Sequence, residues 1–94
     1  MRIDQLTDAL IGERLRLSRE ALRKSQTEFA RDAGINLSAY NQYELGKKRP
    51  SPETVALICD AYNLTADWIY FGQIDTLTYG IARAIAALRD VGKS

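Results

Sequence analysis

The apolar residues of this 94-residue chain recur at intervals of three and four, the spacing of helices that bury one face. No segment shows the sustained alternation of apolar and polar positions that predicts a β-strand. The pattern therefore predicts an all-α fold of five helices followed by a sixth. The first helix is predicted from about Thr7 or Asp8 to about Arg23. Its inward stripe comprises Leu10 or Ile11, Leu15, Ser18 and Leu22.

Capping residues mark the ends of the next two predicted helices. Ser25 opens the second helix, and Glu28, three residues later, completes a capping box in which each side chain binds the other residue's backbone amide. Gly34 ends this helix as a left-handed residue does. Asn36 caps a third helix over residues 37–45. The polar stretch that follows Gly34 is therefore predicted to be a helix and not a loop.

Three further helices complete the prediction. Ser51 and Pro52 start the fourth helix as a cap followed by proline at the first helical position. Its buried stripe is expected to comprise Val55, Ile58, Cys59 and Tyr62. Thr65 caps a short fifth helix over residues 66–71, where Trp68, Ile69 and Phe71 are expected to close the core. The last helix, from Thr76 to about Val91, has a stripe of Leu77, Ile81, Ala84, Ile85 and Leu88.

Composition narrows the class of protein. With 46% apolar and 27% charged residues, the chain is expected to fold as one small globular domain. One cysteine and no histidine leave it without the usual ligands of zinc and without the commonest general base near neutral pH. The longest apolar run, residues 55–59, is far shorter than the roughly 18 residues that span a membrane. A cytoplasmic protein with no enzymatic activity, no membrane association and no metal or cofactor is predicted.

Charge is unevenly distributed along the chain, although the net charge is only +1. Residues 14–49 contain nine basic and four acidic residues, a balance of +5. The remainder has four basic and eight acidic residues, a balance of −4. A division of this kind is typical of proteins that bind a polyanion with one face, so nucleic acid is a candidate partner.

The second and third predicted helices have the features of a helix-turn-helix unit. Ala30 must be small where the next helix crosses it, and Gly34 supplies the positive φ of the turn. Tyr40 and Tyr43, three residues apart, turn the same side of the third helix inward. The residues left on its outer and N-terminal surface, free to reach a partner, are Asn36, Leu37, Ser38, Asn41 and Gln42.

A set of residues in a fixed order along the chain matches the pattern of a known protein family. The set comprises Ile11-Gly12-Glu13-Arg14, Arg19, Ser25 to Ala30, Gly34-Ile35, Glu44-Leu45-Gly46, Pro50-Ser51 and Trp68-Ile69. It resembles the XRE family, the phage Cro and lambda-repressor type of helix-turn-helix DNA-binding domain, over about residues 9–72. The resemblance implies a five-helix lambda-repressor-like DNA-binding domain at 1–72. Residues 73–94 would then form a C-terminal helix, for packing or for dimerisation.

The resemblance also implies a role for each matching residue. Leu37, Ser38 and Gln42 match the positions of helix 37–45 that reach base edges in the major groove, and Asn41 is a fourth candidate for such a contact. The candidate phosphate contacts are Gln26, Asn36, Lys47, Lys48 and Arg49. Arg19 and Glu44 match a pair that forms an intramolecular ion pair in relatives, which implies a structural role and no contact with DNA.

Three positions depart from the family's pattern. Relatives often have Gly-Leu where this chain has Arg23-Lys24, which leaves the turn before the second helix undetermined. Leu37 stands where several relatives have glutamine, so it is expected to touch a thymine methyl group instead of forming a hydrogen bond. Tyr40 replaces a usual aliphatic residue, so the third helix is expected to lie slightly farther from the second.

The function predicted from these features is sequence-specific binding of double-stranded DNA by a transcriptional repressor that occludes a promoter. One alternative is the antitoxin of a toxin–antitoxin pair, which would bind DNA and hold a toxin protein. Another is a protein-interaction module on the same fold. The last helix has two interpretations: it packs on the domain, or its apolar stripe meets its twin in a homodimer. The homodimer is favoured, because helix-turn-helix proteins read two half-sites with two-fold symmetry.

Overall fold

A computed structural model describes residues 2–93, so residues 1 and 94, at the outer ends of the two predicted segments, lie outside it. The described chain contains helices and no strand, which confirms the all-α prediction. The α-helices are α1 (Asp8–Ala21), α2 (Gln26–Ala33), α3 (Leu37–Glu44), α4 (Pro52–Tyr62), α5 (Ala66–Phe71) and α6 (Tyr79–Lys93). Short 3-10 helices cover Arg2–Gln5 and Ile74–Thr76. None of these helices is long and apolar enough to cross a bilayer.

Side-chain caps fix where five of the helices begin. Each capping residue accepts a hydrogen bond from a backbone amide of the first turn, and such a cap contributes about 1 kcal/mol. The capping box of α2 is complete, because the Ser25 amide also donates to the Glu28 carboxylate over 2.9 Å. The capping residues are Thr7, Ser25, Asn36, Ser51 and Thr65.

One core lies between α1 and the other helices. Ile11 and Leu15 are fully buried, as the predicted stripe of the first helix requires. Ser18, the polar member of that stripe, is also fully buried. Its hydroxyl accepts a hydrogen bond from the Trp68 indole at 2.9 Å and donates one to the Arg14 carbonyl at 2.8 Å. The stripe therefore buries a hydroxyl without leaving it unpaired, and it ties α5 to α1.

A close crossing of α1 and α3 depends on Gly12. A Cβ atom at this position would collide with the Tyr43 carbonyl oxygen and lie 2.8 Å from that of Glu44. The two helix backbones can approach this closely only because the residue has no side chain. Gly12 stands in the family motif, but no spacing in the sequence predicts this crossing.

The sixth helix packs against α1 of the same chain. It begins at Tyr79, later than predicted, because residues 74–76 form a separate 3-10 turn. Leu77, just before the helix, and Ile85, within it, are buried in the common core, and Ile81 and Leu88 pack against that core. The apolar stripe of the last helix is therefore covered in cis. A homodimer remains a prediction, and it would need a surface other than this stripe.

Replacing Gly12 with alanine should lower the free energy of unfolding by about 1–3 kcal/mol, the usual cost of overpacking, because the new methyl group meets rigid backbone. Urea denaturation measures the change. The matched control is Gly80→Ala in α6, where the added Cβ meets no described atom within 4 Å apart from its sequence neighbours and the backbone of its own helix. That variant should be neutral or more stable by up to about 1 kcal/mol. Equal stability of the two variants would show that the α1–α3 crossing tolerates a side chain.

Candidate nucleic-acid interface

The turn between α2 and α3 has the predicted geometry. Gly34 adopts φ 75°, and the Ile35 amide donates to the Ala30 carbonyl over 2.8 Å, which closes the end of α2. Ala30 is buried, and so are Tyr40 and Tyr43 on the inner side of α3. The prediction that both tyrosines turn inward is confirmed. The opposite side of α3 is left for a partner.

The predicted base-contacting residues differ in accessibility. Ser38 is exposed, and Leu37 is 38% exposed at the first position of α3. Gln42, one turn further on, is half-buried. Asn41 is also half-buried, and its Oδ1 atom is enclosed with no hydrogen-bond partner in the described part of the chain. The structure therefore presents Leu37 and Ser38 most openly, and it holds Asn41 less accessible than the sequence suggested.

The carboxylate of Glu44, at the end of α3, collects donors from three helices. Arg19 of α1 binds it at two points, with Nε 2.7 Å from Oε2 and Nη2 3.2 Å from Oε1. Gln26 of α2 donates its side-chain amide to Oε1 over 3.0 Å. The hydroxyl of Tyr40 donates to Oε2 from within α3. The Arg19–Glu44 ion pair expected from the sequence is present. Gln26 and Tyr40 are further donors to the same carboxylate, which were not expected from the sequence.

Burial and hydrogen bonding act in opposite directions on the pKa of Glu44. Its side chain is only 5% exposed, and this burial favours the neutral acid. The donors Arg19, Tyr40 and Gln26 favour the anion and outweigh burial, so the pKa of Glu44 lies below its ordinary value. The hydrogen bond to Glu44 raises the pKa of Arg19. Burial of the phenol raises the pKa of Tyr40, and the nearby Glu44 carboxylate raises it further. Charged Glu44, charged Arg19 and neutral Tyr40 therefore stabilise one another.

The predicted phosphate contacts at the start of α2 and α3 are partly occupied by internal bonds. Gln26 gives one amide N–H to Glu44, and a primary amide has a second. Asn36 is exposed and uses Oδ1 to cap α3, where it accepts from the Ala39 amide over 3.0 Å. Its side-chain N–H groups are not needed for that cap. Both residues can therefore keep their structural bonds and still donate to a phosphate.

The three cations after α3 do not behave alike. Lys47 and Lys48 are exposed, and neither forms an ion pair with any described residue. Arg49 instead binds Asp8 of α1 through Nε at 2.7 Å and reaches the Leu6 carbonyl at 3.3 Å. Arg49 was predicted to contact phosphate together with the lysines, but the structure commits its guanidinium to the start of α1. The two lysines are the accessible cations of this loop.

Arg14 is a structural residue whose role sequence analysis missed. It is only 5% exposed, and Nη1 donates to the carbonyls of Gln5, Ile69 and Tyr70 at 2.9, 3.2 and 2.9 Å. Two of these carbonyls lie at the end of α5, where a cation also meets the negative end of the helix dipole. Burial lowers the pKa of Arg14. A signal was available, because Arg14 falls on the apolar stripe of α1, between Ile11 and Ser18.

Comparison with known proteins identifies the unit that contains this interface. The family model described as helix-turn-helix matches residues 15–69, more than half of the chain. The chain belongs to the XRE-type helix-turn-helix family. Helix-turn-helix domains of this type are DNA-binding domains. The matched residues include all of α2, α3 and α4, so the surfaces described above lie within the family's own fold.

The chain is also similar to a phage repressor. It is 39% identical over 57 residues to the cryptic phage CTXphi transcriptional repressor RstR of Vibrio cholerae serotype O1. The match covers 61% of this chain and 51% of RstR, so the chain spans about half the length of that relative. No solved structure matches the chain.

Glu44→Gln should remove part of the acid sensitivity of the fold. Because the pKa of Glu44 in the folded protein lies below its ordinary value of 4.5, the ionised carboxylate stabilises the fold above about that pH. The contribution disappears as the pH falls through the folded pKa. The variant should lose about 3 kcal/mol at pH 7, the lower end for breaking a buried pair, since Arg19 still reaches solvent.

Urea midpoints measured between pH 7 and pH 3 check this expectation. The difference in stability between wild type and Glu44→Gln should shrink as the pH falls below 4.5. Glu53→Gln, on the exposed first turn of α4, is the matched control and should follow the wild-type curve. A constant difference at all pH values would contradict an ionised Glu44 in the folded protein.

Proposed function

We propose that the protein binds specific sequences of double-stranded DNA through α3 and represses transcription by occluding a promoter. The observation that carries this proposal is the outer surface of α3. Leu37, Ser38 and Gln42 lie on it, inside the segment that matches the helix-turn-helix family. The Glu44 cluster holds that surface in a fixed position against α1 and α2, so few groups would have to be ordered on binding.

Each outward residue of α3 has a chemical group that suits a base edge. The side-chain amide of Gln42 can bond in a bidentate manner to adenine, and the Ser38 hydroxyl can donate or accept. Leu37 suits the methyl group of thymine. The enclosed Oδ1 of Asn41 has no donor among the described residues, and a side-chain rotation would let it accept from a base amino group. These residues therefore combine hydrogen bonding with one apolar contact.

The groups that suit phosphates flank this surface on both sides. Gln26 and Asn36 offer side-chain N–H groups at the starts of α2 and α3, and Lys47 and Lys48 follow the end of α3. Phosphate contacts fix the register of a recognition helix in the groove, and base contacts then specify the sequence. Arg49 joins this set only if it leaves Asp8.

Repression is proposed from the similarity to RstR, whose name describes a phage transcriptional repressor. We also propose a homodimer, because helix-turn-helix dimers read two half-sites about 34 Å apart. No observation favours the antitoxin or the protein-interaction module over repression. Selection of bound duplexes from a random pool tests the proposal, with a palindromic or pseudo-palindromic site as the expected result. Absence of salt-sensitive DNA binding would overturn it.

Gln42→Ala should relax the preference at one position of the selected site and weaken binding to it by about 1–3 kcal/mol, the usual value of one bidentate base contact. Binding isotherms on the selected duplex and on duplexes changed at single positions measure both effects. Gln73→Ala, in the connection after α5, is the matched control and should bind like the wild type. A silent Gln42→Ala variant would mean that α3 docks in another orientation.

Lys48→Ala should weaken binding to all duplexes alike and reduce the slope of log K against log salt by about one unit per protomer. The physical reason is that one counterion fewer is released when one cation fewer meets a phosphate. A salt titration on the selected duplex and on a random duplex provides the measurement. If the loss depended on the sequence of the duplex, Lys48 would be reading bases and the assumed docking would be wrong.

A further inference from the structure

Arg23 occupies a backbone conformation that favours glycine. Its φ is 58°, in the left-handed region where an L side chain costs free energy. One other non-glycine residue in the described chain shares this region, Asn63 at φ 55°, and asparagine tolerates it well. The remaining left-handed positions are filled by Gly34, Gly46 and Gly72. Arg23 is thus the single described left-handed position with neither glycine nor asparagine.

Hydrogen bonds at the end of α1 require this conformation. The Lys24 amide donates to the Arg19 carbonyl at 3.2 Å, and the Arg23 amide donates to the Glu20 carbonyl at 3.0 Å. This is the pattern of a Schellman cap, in which the residue at position 23 is left-handed. Glycine would serve the cap with less strain. The cap therefore gives no reason for an arginine at this position.

Contacts with the other described residues give no such reason either. Six of the nine cations in residues 14–49 bind carboxylates or buried carbonyls. These are Arg14, Arg16, Arg19, Lys24, Arg31 and Arg49. Arg23 is exposed and has no ion pair or side-chain hydrogen bond among the described residues, a state it shares with Lys47 and Lys48. It therefore resembles the two cations proposed to meet phosphates.

The position of Arg23 is fixed relative to the DNA-binding helices. Nη1 of Arg19 donates to the Lys24 carbonyl at 3.0 Å, and the same guanidinium binds Glu44. Glu44 in turn accepts from Gln26, the first residue of α2. One network therefore joins the turn that carries Arg23 to the start of α2 and the end of α3. A phosphate at Gln26 would lie close to this turn, since only Lys24 and Ser25 separate the two residues in sequence.

A cation near the start of α2 would favour a phosphate there, because an acidic side chain already lies at this end of the helix. The helix dipole favours an anion at this end, but the capping box already holds the Glu28 carboxylate there. Hydrogen bonds from Ser25 lower the pKa of Glu28, so this carboxylate is charged at neutral pH. Lys24 does not offset it fully, because its ammonium binds Asp32 at 3.1 Å. Arg23 is the nearby cation with no acid already attached.

We propose that Arg23 is a phosphate-binding residue of the DNA interface, acting beside Gln26 at the start of α2. The inference rests on the proposed function and adds a contact to it. A guanidinium can bond a phosphate through two parallel N–H groups, which a lysine at the same place cannot reproduce. The strained backbone at position 23 is then retained because it carries this charge.

Three substitutions separate the charge from the backbone strain. Arg23→Gly and Arg23→Ala should each weaken binding to the selected duplex about tenfold, the value of one charge-assisted hydrogen bond. Each should reduce the salt slope by about 0.9 per protomer. Arg23→Gly should nevertheless melt about 4–8 °C above Arg23→Ala, because glycine adopts the left-handed conformation without strain. Arg23→Lys should keep the wild-type salt slope, because the positive charge remains.

Arg83→Ala, an exposed arginine on α6, is the matched control and should bind DNA with the wild-type slope. If Arg23→Gly and Arg23→Ala bind like wild type while Lys48→Ala loses affinity, the role of Arg23 is wrong and the proposed function stands. A reduced slope in Arg23→Lys would also overturn the role of its charge. If wild type shows no salt-sensitive binding to any duplex, the proposed function and this inference fall together.

Discussion

The hydrogen bonds to the buried carboxylate of Glu44 are the interaction on which the position of the third helix depends. Donors from α1, α2 and α3 meet on its two oxygens, so one side chain sets the position of the third helix against the first two. A buried charge is costly unless it is paired and hydrogen-bonded. Four bonds to the carboxylate satisfy that condition here. These bonds fix the end of α3 relative to α1 and α2.

The same cluster gives a physical reason for a tyrosine at position 40. An aliphatic side chain would fill the space beside Phe29, whose ring centroid lies 5.1 Å from that of Tyr40. It would provide no donor to the carboxylate. Tyr40 contributes both apolar area and a hydroxyl that reaches Glu44 from the same helix. Tyr40 therefore attaches α3 through both packing and a hydrogen bond, at the cost of burying a phenol.

Ion pairs and hydrogen bonds within the chain leave fewer basic side chains available to DNA than the sequence contains. The +5 balance over residues 14–49 treats every arginine and lysine as available. In the folded chain Arg14 holds the end of α5, Arg19 holds Glu44 and Arg49 holds Asp8. Within residues 14–49, the cations with no such partner among the described residues are Arg23, Lys47 and Lys48, and they lie in the turns that follow α1 and α3. Their proposed contacts with phosphate depend on this selection and not on net charge.

The sequence by itself determined the helices, four of the five side-chain caps and most of the inward stripes, because these depend on residues within one or two turns of each other. Ser25 with Glu28, Gly34, and Tyr40 with Tyr43 are of this kind. Only the tertiary structure decided the features that join distant segments. Gly12 allows the close approach of α3, and Arg14 binds carbonyls of α5. Arg49 pairs with Asp8 of α1, and Ile85 of α6 is buried in the core of the same chain. Such contacts depend on where two backbones meet in space, which no local spacing of residues specifies.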